Sequence, residues 1–120
     1  MAYVEAKAPG FRYGLGTMAA DAVAGQCVRL TNENVFSVND DAGKRSFGIL
    51  AAACKKDELA GVFCMGGIYE TDQYSGNIAG GEALSCDAQS GKLKTASGQE
   101  FVVAEAISVV AGVLRFKLLV

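Results

Sequence analysis

Val113-Leu114-Arg115-Phe116-Lys117-Leu118 reads with a strict period of two: Leu114, Phe116 and Leu118 fall on one side, Arg115 and Lys117 on the other. Successive side chains of a strand point to opposite faces, whereas a helix would scatter these apolar residues around its circumference. The segment is therefore a β-strand with one buried and one wet face. Upstream, Val28-Arg29-Leu30-Thr31 and Phe36-Ser37-Val38-Asn39 alternate in the same way, and Asn32-Glu33-Asn34 between them supplies residues that tolerate a tight turn. These two make a hairpin. Further strands are expected at Phe47–Ala53, Gly61–Met65, Ile68–Thr71, Ala83–Cys86, Leu93–Thr95 and Phe101–Val109. Breaks of Gly, Asn, Asp or Ser recur about every 8 to 12 residues, the rhythm of an all-β sandwich or barrel.

Leu50-Ala51-Ala52-Ala53-Cys54-Lys55-Lys56-Asp57-Glu58-Leu59 is rich in helix formers and competes with this reading. An internal repeat decides for β. Gly25-Gln26-Cys27-Val28-Arg29-Leu30-Thr31 parallels Gly81-Glu82-Ala83-Leu84-Ser85-Cys86-Asp87, and Ser46 to Ala52 lines up with Glu100 to Ala106. Ala60-Gly61-Val62-Phe63 lines up with Ala111-Gly112-Val113-Leu114, and the position of Ala53-Cys54 becomes Ile107-Ser108, followed by the β-branched Val109-Val110. Two such units could close one small antiparallel barrel or sandwich over residues 25–120 and remove most exposed edges. Residues 1–24, with Pro9-Gly10, Gly14 and Gly16, stand outside the repeat and read as an extended amino-terminal arm; its aromatics Tyr3, Phe11 and Tyr13 favour docking on a neighbouring subunit or another protein over a frayed terminus.

The 120 residues fit one domain, and 51% apolar with 20% charged residues is enough to bury a core. Eleven basic against thirteen acidic residues give a net charge of −2, without the basic excess of a nucleic-acid binder. His is absent, which excludes a Ser-His-Asp triad, a Cys-His dyad, a His metal site and a His pH switch. Cys27, Cys54, Cys64 and Cys86 have no zinc spacing and read as small buried hydrophobes. The opening Met-Ala-Tyr-Val-Glu-Ala-Lys has no secretory pattern, and the longest apolar run, Ala106 to Leu114, falls short of a bilayer span. Synthesis in the cytoplasm, with no membrane partner, is the expectation.

Chemical motifs are sparse. Gly14-Leu15-Gly16-Thr17-Met18-Ala19 matches a phosphate fingerprint formally, but no strand-turn-helix surrounds it. Asp40-Asp41 lacks the spaced oxygen ligands of a calcium loop and reads as a turn, as does Lys55-Lys56-Asp57-Glu58. Nothing places two of Glu70, Asp72, Glu82 and Glu105 as an acid-base pair, so no catalytic residue, metal ligand or cofactor is assigned. Gly66 to Ile78 gathers Tyr69, Tyr74 and polar side chains, a composition found both in contact surfaces and in ordinary strands and loops.

Val23-Ala24-Gly25-Gln26-Cys27-Val28, Phe47-Gly48-Ile49-Leu50, Gly66-Gly67-Ile68-Tyr69-Glu70, Gly80-Gly81-Glu82-Ala83-Leu84, Ser90-Gly91-Lys92-Leu93 and the terminal Val113 to Leu119 follow one another in a telling order. In that order the chain resembles the small cement, or head-decoration, proteins of tailed bacteriophages, from Gly25 to Val120. The resemblance implies a non-enzymatic β-barrel on the outside of the capsid in the virion. There it would bind the major capsid protein, bridge neighbouring shell subunits, and self-associate, a homotrimer being favoured over a dimer. Tyr3, Phe11, Arg12 and Tyr13 are the expected contacts to the shell or a sister subunit. The alternative is a small barrel that binds a glycan or host-surface receptor through Tyr69 and Tyr74.

Overall fold

Nine strands form one mixed sheet in the computed structural model, which describes residues 1–120. They are β1 (Val4–Met18), β2 (Cys27–Asn32), β3 (Val35–Val38), β4 (Gly48–Leu50), β5 (Leu59–Thr71), β6 (Ala83–Cys86), β7 (Leu93–Thr95), β8 (Ala104–Val110) and β9 (Val113–Leu118). The order across the sheet is β1-β3-β2-β4-β5-β9-β8-β6-β7, and β1 also pairs with β5. The architecture is all-β, as the alternation requires. On β9, Leu114, Phe116 and Leu118 are buried and Arg115 and Lys117 exposed, each apolar side chain contributing about 1.5–3 kcal/mol. The β2–β3 hairpin turns at Asn34, which takes the left-handed φ of 58° that Asn tolerates. Leu50–Leu59 holds no helix: Cys54 bridges Ala22, and the charged run that follows is an exposed turn into β5.

Closure makes two rings that share β5. In the first, β1 lies parallel to β3 at Thr17 and Met18 and antiparallel to β5 from Val4↔Thr71 to Thr17↔Leu59. β3-β2-β4-β5 completes it. In the second, β5 is antiparallel to β9, and Tyr74, just past β5, bridges Leu93 of β7 in parallel. Thus β5 closes one unit and opens the next, and β1 is its counterpart in the first unit. Backbone bonds coincide. Gly25 N–H donates to the Leu50 carbonyl at 2.8 Å, and Gly81 N–H to Ala106 at 2.7 Å. Phe47 donates to Val28 at 2.8 Å, and Val103 to Leu84 at 2.7 Å. Gly25 and Gly81 take φ of 92° and 89°, open to glycine without steric cost.

These bonds correct the register of the repeat read from the sequence. Leu50 corresponds to Ala106 and Phe47 to Val103, a slip of two residues from the letter alignment. Such a slip keeps every side chain on its face, so apolar patterning alone does not resist it. Ala111-Gly112 is not equivalent to Ala60-Gly61 either: it forms the β8–β9 turn, with φ of 52° and 76°. Val62, opposite Leu50, matches Phe116, opposite Ala106.

The amino-terminal segment is extended, but as a strand of the sheet rather than an arm reaching elsewhere. No boundary falls at residue 24, because β1 closes the first ring. Pro9 breaks strand patterning in the sequence and is accommodated because β1 is an edge strand along that stretch.

Each ring encloses its own core. Met18, Val28, Phe36, Leu50, Ala60 and Val62 fill the first, while Tyr69, Leu84, Leu93, Ala106, Phe116 and Leu118 anchor the second. Cys27 and Ile49 face the second cluster although their neighbours Val28 and Leu50 face the first. β2 and β4 are therefore buried on both sides where they pair, which is why Gly48-Ile49-Leu50 reads as continuously apolar.

The loop before β8 is clamped by one carboxylate. Glu100 Oε1 accepts from Lys94 Nζ at 2.7 Å, Ser97 N–H at 2.8 Å and the buried Ser85 hydroxyl at 2.9 Å. The Lys94 ammonium, followed by the Ser97 amide and the Ser85 hydroxyl, holds the Glu100 carboxyl down at about 2. A carboxyl depressed by folding adds stability above its ordinary 4.5 and loses it as pH falls toward 2. Acid titration of the folded protein should show this loss between those limits, and Glu100→Gln should lower neutral-pH stability while flattening that part of the profile. An unchanged acid limb in Glu100→Gln would remove the clamp from the account.

Candidate functional site

β1 and β5 cross at very close range, and the crossing shapes the surface beside it. A Cβ on Gly10 would lie 2.4 Å from the Gly66 carbonyl oxygen, and one on Gly67 2.4 Å from the Gly10 nitrogen, so neither position accepts a side chain. Met65, Gly66 and Gly67 all take left-handed φ, of 60°, 84° and 101°. Met65 is the only non-glycine residue inside a strand that does so, and it is 74% exposed. A residue held in a sparsely populated conformation inside an otherwise regular strand marks a place where surroundings dictate its position.

Beside this kink lies a groove of about 550 Å³ between the two rings. Phe11 and Tyr13 of β1 and Cys64 and Met65 of β5 form one wall, Phe47 and Phe101 stand in the loops before β4 and β8, and Val102 and Leu119 complete the lip. Phe11, Leu119 and Val102 are 52%, 49% and 37% exposed, so with Met65 they make one contiguous apolar surface rather than scattered residues. Arg45 is the only charged residue lining it, its guanidinium 5.7 Å from the Phe101 ring centre and paired with no carboxylate. A buried Asn39 fixes the loop that carries Arg45: its amide donates to the Lys44 carbonyl at 3.1 Å and the Ser46 hydroxyl at 2.8 Å. The turn expected at Asn39–Lys44 thus serves as the groove's support.

The residues singled out in the sequence divide three ways. Phe11 and Tyr13 share the groove, Tyr13 packing edge-on against Phe36 and Phe47 and donating its hydroxyl to Asn34 Oδ1 at 2.6 Å. Arg12 alternates to the opposite face, where it lies over Phe63 at 5.9 Å. Tyr3 is held at the far end of β1, its N–H donating to Asp72 at 3.2 Å and its carbonyl accepting from Thr71 at 2.8 Å.

Tyr69 is not a surface residue at all. It is fully buried, stacked 4.5 Å from Phe63 and 5.8 Å from Phe116, with its hydroxyl accepting the Gly10 N–H at 3.0 Å and donating to the Gly66 carbonyl at 3.2 Å. Burial of an aromatic of this size outweighs the polar company it keeps in sequence. Tyr74 is half-buried against the same core beside β7, so no tyrosine pair is displayed. Met65, Arg45, Val102 and Leu119 were missed; Met65 alone carried a signal, as a bulky residue before the glycine pair that interrupts two strand patterns.

All four cysteines are free and buried, and loss of solvation pushes the Cys27 thiol far up, as it does Cys54, Cys64 and Cys86 to lesser degrees. No three His, Cys, Asp or Glu side chains gather to hold a metal ion. No helix is long and apolar enough to cross a membrane. Compared with known proteins, the chain matches no family model and no curated protein.

Proposed function

We propose that this chain is a non-enzymatic cement protein that binds the outside of a tailed-bacteriophage capsid and reinforces the shell by bridging major capsid protein subunits. The apolar groove between the rings carries the proposal. A continuous apolar patch around an unpaired arginine fits a protein partner that inserts apolar side chains and presents a carboxylate to Arg45. The order of sequence motifs, which resembles that of capsid decoration proteins, supports the shell subunit as that partner.

Two closed rings sharing a strand also suit the task mechanically. A closed sheet has few edges to open, and many identical copies on a symmetric shell turn a modest contact into high avidity. The receptor-binding alternative loses its main support, because Tyr69 lies in the core.

The experiment is reconstitution. Particles stripped of the chain should release their genome at lower temperature than decorated particles, and adding back purified protein should restore the higher release temperature. Equal heat resistance with and without the protein bound would contradict reinforcement.

A further inference from the structure

β5 is covered on both sides and β1 is not. Along one side β5 pairs with β4 and β9; along the other it carries β1 over nearly its whole length, so that Tyr69 lies between Ala6 and Phe116. β1 occupies the same place in the first unit as β5 does in the second. Its side toward β5 is paired, but on the opposite side only Thr17 and Met18 meet a neighbour, β3. The open edge of β1 is therefore the counterpart of the edge on which β5 already accepts an added antiparallel strand. Unpaired N–H and C=O groups along an exposed edge recruit such a strand.

The charges near the start of β1 specify which strand. Glu5 and Lys7 flank Ala6 on one face, Lys7 Nζ lying 2.8 Å from Glu5 Oε1, and Glu5 is exposed. Antiparallel pairing of this edge with itself about Ala6 puts Glu5 opposite Lys7 of the second copy and Lys7 opposite Glu5 of the second copy. Directly opposed unlike charges stabilise a strand pair, and two-fold symmetry counts the contact twice. Pro9 and the irregularity between Pro9 and Phe11 end regular pairing beyond Ala8 and confine this contact to the Val4–Ala8 end, where the β1–β5 ladder has one further irregularity at Lys7.

We propose that the chain forms a two-fold dimer in which the Val4–Ala8 edge of β1 pairs antiparallel with the same edge of a second copy. The inference rests on the β1 edge alone and stands or falls without any shell. Sedimentation equilibrium of the purified chain at micromolar concentration should give a dimer. Glu5→Lys and Lys7→Glu, each placing like charges opposite one another, should weaken it about ten-fold or more. The double variant Glu5→Lys/Lys7→Glu restores opposite signs across the pair and should regain the dimer; because it also restores the Glu5–Lys7 pair within one chain, an equimolar mixture of the two single variants, which restores opposite signs only between chains, should form a heterodimer as well. Far-UV circular dichroism confirms that the variants keep their sheet. A monomeric or trimeric wild type overturns the proposal, a monomer leaving the edge to a strand of another protein. Single variants that dimerise like wild type, or a folded double variant that stays monomeric, overturn it equally.

Discussion

Tyr69→Ala will destabilise the fold by about 3–5 kcal/mol, the range for removing a fully buried aromatic ring. The ring fills the second core between Phe63 and Phe116, 4.5 and 5.8 Å from their ring centres. Tyr69→Phe will cost about 1–2 kcal/mol, because it keeps the ring but leaves the Gly10 N–H without its acceptor. That bond ties β1 to β5 at the kink, so the milder variant reports on closure of the first ring rather than on packing. Urea unfolding measures both, with a lowered midpoint and an unchanged slope as the expected signature. A Tyr69→Ala protein of native stability that loses only a ligand would return this residue to a binding surface and reopen the receptor reading.

The second large effect is on binding. Phe11→Asp combined with Met65→Asp should weaken attachment to purified shells by about a hundred-fold or more, since two central apolar anchors are typically worth about 2 kcal/mol each. Both side chains are more than half exposed, so the variant should unfold close to wild type in urea. Arg12→Ala, on the opposite face of β1, should bind shells as wild type does. The contrast between Phe11 and Arg12, adjacent in sequence, separates a groove from a generally sticky strand. Equal losses at both residues would place the contact along β1 as a whole. Removing residues 1–15 is the less informative experiment, because it takes away a strand of the first ring along with Phe11.

What the sequence disclosed and what it hid have separate physical causes. β9, the β2–β3 hairpin, β6 and β7 were legible because alternation and turn residues act locally, within a few positions of one another. The duplication was legible as well, although its register slipped by two residues where only ladder hydrogen bonds distinguish equivalent faces. β1 was hidden because its pairing with β5 spans most of the chain and because Pro9, Gly10, Gly14 and Gly16 mimic a loop. Gly10 is there for close approach to β5, and nothing in its own neighbours says so. Tyr69 was misjudged by composition. Alternation places it on the same side as Thr71, and both are buried, Thr71 with its hydroxyl donating to the Tyr3 carbonyl. The groove was half visible: Phe11 and Tyr13 drew attention as aromatics, whereas Val102 and Leu119 reach it only through the meeting of the two rings.

The most direct test of the proposed cement function is the copy number of this chain relative to the major shell subunit, measured by quantitative mass spectrometry on tailed-phage particles purified from the source of the sequence. A fixed stoichiometric ratio, with the chain released only by harsh treatment, is the result expected. Its absence from particles, or a handful of copies in each, would contradict the account.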